Sequence, residues 1–128
     1  MLNIIGLAYR AKSLVYGLDS VSDVVNTKKA RLILTACDAN PKILEKAARM
    51  PERCNATYSE SPFTSAQLGE ALGVSTCTIV AFTDIGFAAN LAEKLEQQNP
   101  ETYGQLATTF REQKVRAKKR KEKKLRQR

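Results

Sequence analysis

The 128-residue sequence has no histidine, no tryptophan and only three cysteines. Without histidine the commonest general base and the commonest metal ligand are both missing, so most familiar hydrolytic and zinc-dependent chemistries have no obvious carrier. Cys37, Cys54 and Cys77 are odd in number and form no CxxC pair. They read as buried free thiols in a reducing compartment, not as a disulfide framework or a metal site. No stretch approaches the roughly 18 to 20 apolar residues that span a bilayer. Met1–Leu18 also lacks an apolar core followed by a small-residue cleavage site. A cytoplasmic, unexported protein is expected. Glycine is sparse as well, and Gly69 and Gly73 make neither a dinucleotide-binding turn nor a Gly-Lys-Ser/Thr phosphate loop.

What the chain does have is a 43% apolar content, enough to fill the core of one domain of this length. Short apolar runs alternate with amphipathic stretches, as in strands interleaved with helices. Leu2, Ile5, Ala8 and Tyr9 recur at helical spacing, and Leu14–Tyr16 follows as a short strand ending at Gly17. Val21, Val24 and Val25 stripe a second helix. Leu32–Ala36 is a continuous apolar run suited to a central strand covered on both faces. Asn40 and Pro41 then supply an N-cap and a first-turn proline for a helix turning Ile43, Leu44, Ala47 and Ala48 inward, which should end near Met50 because Pro51 restricts it. Ala56–Ser59 reads as a third strand. Thr64 with Gln67 makes a capping box, Gly73 a helix stop, and Thr78–Phe82 a fourth strand. Phe87, Ala88, Leu91, Ala92 and Leu95 mark a fifth helix. The fold class expected is α/β, a three-layer α/β/α sandwich over residues 1–96 with a four-stranded mixed sheet. Residues 97–110 are expected to form a linker or a last helical turn pinned by Leu106 and Phe110, followed by a basic C-terminal tail over residues 111–128.

The net charge of +8 is concentrated at one end. Arg111–Arg128 holds eleven of the 21 Lys and Arg and two of the 13 Asp and Glu, so the tail carries +9 and everything before it −1. A block this dense repels itself, and alone in water it should be disordered or a fraying helix. Its lysines and arginines, among them Lys114, Arg116, Lys118, Lys119, Arg120, Lys121, Lys123 and Lys124, suit a phosphate backbone. With Val115 and Leu125 as its main apolar residues it has no face to insert into a membrane. The carboxylates Asp19, Asp23, Asp38 and Asp84 are the remaining candidates for acid–base work, yet they fall near element ends, where caps and first-turn residues belong. No catalytic residue, metal or cofactor is expected.

The segment Leu32–Pro41, LILTACDANP, resembles the kink-turn-binding ribosomal protein superfamily of the L-seven-Ae type. Gly6-Leu7-Ala8 with Arg10-Ala11, Lys29–Leu32, Gln67–Gly69 with Gly73, and Thr83-Asp84 with Gly86–Ala88 are similar to its bacterial YlxQ-like branch. The resemblance covers about Leu2–Leu95 and implies the layered fold read above. It also implies an RNA surface at the glycine ending the first strand and the start of the next helix, here Gly17, Leu18, Asp19 and Ser20. A loop before the last strand, here Val74, Ser75 and Thr76, completes that surface. Family members that clamp kink-turns carry asparagine, glutamate and lysine where this chain has Asp19, Ser20 and Asp23.

The expected function is therefore non-enzymatic RNA binding in a ribosome- or translation-associated setting. The folded domain would orient the RNA and the tail would add affinity. Ribosomal RNA is the first partner to consider, with a monomer as the default state and neither a membrane nor a small-molecule substrate involved. The alternative is a protein-interaction module of the same fold whose tail only solubilises or tethers it. Because the three clamp positions are altered, affinity for a standard kink-turn should exceed that for a plain RNA hairpin by no more than a few-fold in a direct titration. A hundredfold preference, about 2.8 kcal/mol at 1.4 per decade, would show that these substitutions matter less than their chemistry suggests.

Overall fold

The computed structural model describes the backbone of residues 2–126 and the side chains of residues 2–116. Helix α1 (Leu2–Arg10) leads to β1 (Leu14–Tyr16), α2 (Leu18–Asn26), β2 (Leu32–Thr35) and α3 (Pro41–Arg49). After a 3₁₀ turn (Met50–Arg53) come β3 (Thr57–Glu60), α4 (Ser65–Leu72), β4 (Ile79–Phe82), α5 (Ile85–Gln98) and α6 (Pro100–Arg126). The helix starts are set locally. Asn40 accepts from the Ile43 N–H at 3.0 Å with Pro41 in the first turn of α3. Thr64 and Gln67 bond reciprocally at the start of α4, and Gly73 ends it with φ 80°. Asp84 accepts from the Phe87 N–H at 3.1 Å to cap α5.

The four strands form one mixed sheet in the order β1-β4-β2-β3, with only β2 and β3 parallel. Phe82 stands opposite both Leu14 and Leu32, so β4 is hydrogen-bonded on both edges. Both β2 and β4 are buried along their whole length, which requires cover on the two faces. Leu32, Leu34, Val80 and Phe82 point toward α1, α4, α5 and α6. Ile33, Ile79 and Ala81 point toward α2, α3 and the 3₁₀ turn, meeting Val21, Val25, Ala47 and Met50. This is the three-layer α/β/α sandwich of the sequence reading, with the third and fourth strands beginning one residue later than expected.

Three details differ from that reading. Residues 97–110 are neither linker nor a single turn: α5 runs to Gln98, and after the one-residue break at Asn99 a new helix starts at Pro100. Tyr103, Leu106, Ala107 and Phe110 are buried against the α1/α4/α5 layer, so this segment is part of the core. The same helix continues without interruption to Arg126. A helix already nucleated by packing elongates easily through Lys, Arg, Glu, Gln and Ala, which lose little on becoming helical. Cys37 is exposed, whereas Cys54 and Cys77 are buried. It follows β2 in the turn toward α3, where its backbone N–H reaches the Phe63 carbonyl while its side chain faces outward. Ala48 is likewise exposed, because α3 turns Ala47 and the following Met50 inward.

Phe110 is fully buried, and its replacement by alanine should cost about 3–5 kcal/mol. Deleting Arg111–Arg128 removes half-exposed ion pairs from Arg111 to Glu96 and Glu93, and pairs this open to solvent add little stability. Thermal unfolding should therefore drop by more than about 10 °C in Phe110→Ala and by only a few degrees in the truncated chain. The reverse order would place the end of the folded unit beyond Arg111.

Candidate nucleic-acid interface

Because β4 lies antiparallel to β1, the end of β1 and the loop before β4 meet at one edge of the sheet. Gly17 follows Tyr16, which pairs with Val80, and the Gly17 N–H donates to the Ile79 carbonyl at 3.0 Å. With φ 85° and ψ 149° it occupies backbone space open essentially to glycine, and its carbonyl accepts the first bond of α2 from Val21. A Cβ at Gly17 would meet nothing within 4 Å, so the requirement for glycine here is conformational, not steric.

The opposing loop is held from behind. Val74 donates to the Gly69 carbonyl at 2.8 Å and Cys77 to the Ser65 carbonyl at 3.0 Å. Gly69 permits this approach: a Cβ there would lie 2.7 Å from the Ser75 carbonyl oxygen and 2.8 Å from the Thr76 Cα. Burial pushes the Cys77 thiol above its ordinary range, offset in part by backbone hydrogen bonds at Ile79 and Gly17. The thiol donates to the Ile79 carbonyl at 3.2 Å, the same oxygen that accepts from the Gly17 N–H. The structure brings Gly17–Ser20 and Val74–Thr76 to the same sheet end, with Asp19, Ser20, Ser75 and Thr76 exposed and Leu18 and Val74 half-buried.

Tyr9 and Tyr16 stand beside this surface in an edge-to-face pair with ring centroids 5.4 Å apart. Together with Ser20 they line a shallow recess that sequence reading missed. Although Tyr9 shares the helical spacing of Leu2, Ile5 and Ala8, it is exposed, and Ile4 is buried beside Ile5 and Ala8. The carboxylates considered for chemistry are largely occupied structurally. Asp38 accepts from the Ser65 N–H at 2.8 Å and from its hydroxyl at 3.1 Å, stitching the turn after β2 to the start of α4. Asp84 is a cap, and Asp19 lies in the first turn of α2.

Of the tail's basic residues, Lys114 and Arg116 lie on α6, outside the elements that form this cluster. Helix α5 follows β4 and so starts at the sheet end opposite Gly17, and α6 packs beside it after Asn99, with Arg111 next to Glu93 and Glu96 in the second half of α5. Arg111 fixes that packing by hydrogen-bonding Glu96 at 2.7 Å, which also raises its own proton affinity. Lys114 and Arg116 are exposed on α6. The side chains of Lys118, Lys119, Arg120, Lys121, Lys123 and Lys124 lie outside the described residues. Among the described residues no helix is long and apolar enough to cross a membrane.

Comparison with known proteins gives the same outline. The chain is 33% identical over 97 residues to the RNA-binding protein YlxQ of Bacillus subtilis (strain 168), covering 73% of this chain and 92% of that protein. A Bacillus halodurans protein of unknown function superposes with a TM-score of 0.68 at 24% identity, over 74% of this chain and 95% of its own. The Giardia lamblia 15.5kD RNA binding protein superposes with a TM-score of 0.62 at 22% identity, over 75% and 84% respectively. These two likenesses concern the fold alone. Residues 1–92 match the ribosomal protein L7Ae/L30e/S12e/Gadd45 family, so α6 falls beyond the matched region and the domain that precedes it belongs to that family.

Proposed function

We propose that this protein is a non-enzymatic RNA-binding protein of the cytoplasm, acting on ribosomal RNA or another RNA of the translation apparatus. The observation that carries the reading is the meeting of the Gly17–Ser20 turn with the Val74–Thr76 loop at one sheet end. Family membership and the similarity to a named RNA-binding protein support it. At this surface the half-buried Leu18 and Val74 anchor the two segments, and Asp19, Ser20, Ser75 and Thr76 present polar groups outward. Asp19 suits the amino group of a base better than a phosphate. The surface would therefore select an orientation or a local RNA shape, while general affinity comes from lysine and arginine elsewhere. The tail supplies most of that charge, through Lys114, Arg116, Lys118, Lys119, Arg120, Lys121, Lys123 and Lys124.

The acidic pair Asp19 and Asp23 on α2 favours a second reading, in which the same surface docks a protein and the tail only tethers. Salt dependence separates the two. If about six phosphates are neutralised, mostly by the tail's eleven basic residues, log affinity against log salt should fall with a slope near −4 to −5. Binding would weaken several hundredfold between about 50 and 200 mM salt. Without Arg111–Arg128 the slope should be about −2 or shallower. Fluorescence anisotropy of both chains on one labelled hairpin reads this directly, and equal slopes would remove the tail from the mechanism and favour the interaction-module reading.

A further inference from the structure

The near-neutral total of Met1–Phe110 conceals a polarised domain. Lys28–Arg53 holds seven basic and three acidic residues, a local +4, leaving −5 for the rest of the domain. The fold puts this excess in one place. On α3, Ile43, Ala47 and Met50 turn toward the sheet, and the intervening positions Lys42, Lys46 and Arg49 fall on the outer side at helical spacing. The 3₁₀ turn adds Arg53 to the same side. Lys46, Arg49 and Arg53 line an open groove of about 510 Å³ whose other wall is Leu18, Asp19 and Ser22 at the start of α2. The groove is thus continuous with the Gly17–Ser20 turn. From there it runs toward the end of α2, where Arg53 touches the Asn26 side chain at 3.5 Å and shares a neighbouring recess with Lys28.

These cations are available. Arg49 is paired with Glu45 at 2.9 Å, but the two side chains are 70% and 65% exposed, and such a pair is worth little enough for a phosphate to displace the carboxylate. Lys46 and Arg53 make no ion pair among the described residues. Arg49 and Arg53 present forked donors that match phosphate oxygens, and Lys46, one helical turn before Arg49, adds a point charge. Met50 lies buried beneath. Asp19 and Glu52 also line the groove and work against an anion there. Asp19 is at the turn, where base edges would lie, so the backbone is directed toward Lys46, Arg49 and Arg53.

We propose that the groove between α2 and the α3–3₁₀ segment is a second RNA contact, in which Lys46, Arg49 and Arg53 hold the phosphodiester backbone of an RNA seated at Gly17–Ser20. The inference rests on the RNA-binding reading and adds a path for the strand across the face formed by α2 and α3. It also names the source of the shallow salt dependence that the tailless chain should retain.

The test is the full chain carrying Lys46→Gln, Arg49→Gln and Arg53→Gln, titrated against a fluorescein-labelled RNA hairpin with a single-stranded extension. A control removes the same charge from elsewhere through Arg10→Gln, Lys12→Gln and Lys94→Gln. Three lost phosphate contacts should make the salt slope shallower by about 2 and weaken binding at least tenfold near about 100 mM salt. The control should change the slope by well under half as much. Unchanged melting and circular dichroism would show that the groove variant is folded. Should it not be, the Lys46→Gln, Arg53→Gln double variant is read the same way, with a slope change of about 1.5 expected. Equal losses in groove and control variants would reduce the effect to net charge and overturn the proposal. Wild-type affinity and slope in the groove variant would also overturn it while leaving RNA binding intact. Failure of the wild-type chain to bind any RNA would overturn both.

Discussion

Strand β4 is paired on both edges and covered on both faces, and the arrangement of the molecule follows from that. Only four residues long, it aligns Ile79 with Thr35 and Phe82 with both Leu14 and Leu32, which leaves it no freedom of register. A slip by one residue would turn Val80 and Phe82 away from the α1/α4/α5 layer and into the smaller space over Ala47 and Ala81. Because β1 lies antiparallel on one side, the same register sets the Gly17 N–H on the Ile79 carbonyl and brings the loop before β4 beside the start of α2. The candidate interface is therefore a consequence of core pairing. Its geometry is set by backbone hydrogen bonds to β4, although its outward residues are small and polar.

The two faces of that sheet have different electrostatic characters. The layer of α1, α4, α5 and α6 meets the sheet through large apolar side chains and carries Glu70, Glu93, Glu96 and Glu101 on its helices. Some of that acidity is structural, since Glu96 and Glu93 hold Arg111 and so fix where α6 leaves the domain. The layer of α2 and α3 meets the sheet through smaller residues and carries the exposed stripe Lys42, Lys46, Arg49 and Arg53. The basic stripe of α3 and the basic end of α6 are thus carried by opposite layers of the sandwich, two separate sources of positive potential.

How much of this the sequence discloses depends on how local each cause is. Asn40-Pro41, Thr64 with Gln67, and Gly73 act within one helical turn, and the structure has each of them in its expected role. The continuous run at Leu32–Ala36 announces a doubly covered strand for a similar reason. Ala48 and Cys37 are exposed against expectation because small residues carry little periodic signal, and their burial depends on which neighbour packs alongside. In residues 97–110 the sequence shows Leu106 and Phe110 as one isolated pair, whereas the fold buries Tyr103 and Ala107 with them. The meeting of Gly17–Ser20 with Val74–Thr76 was legible only through family resemblance, since no local signal links residues so far apart. The basic stripe has no signature in the formal charge of the domain, because a sum near zero says nothing about which face holds each sign.

The positions of charge and shape recognition also constrain how an RNA can use the molecule. Gly17 belongs to the junction of β1 and α2, whereas Arg111, Lys114 and Arg116 lie on α6, which is held beside α5 through Glu93 and Glu96. If RNA binds as proposed above, a strand seated at the turn has cations to follow along Lys46, Arg49 and Arg53 toward Lys28. Contacts made there and contacts made by α6 would then fall on different phosphates, so their contributions to affinity would add without competing.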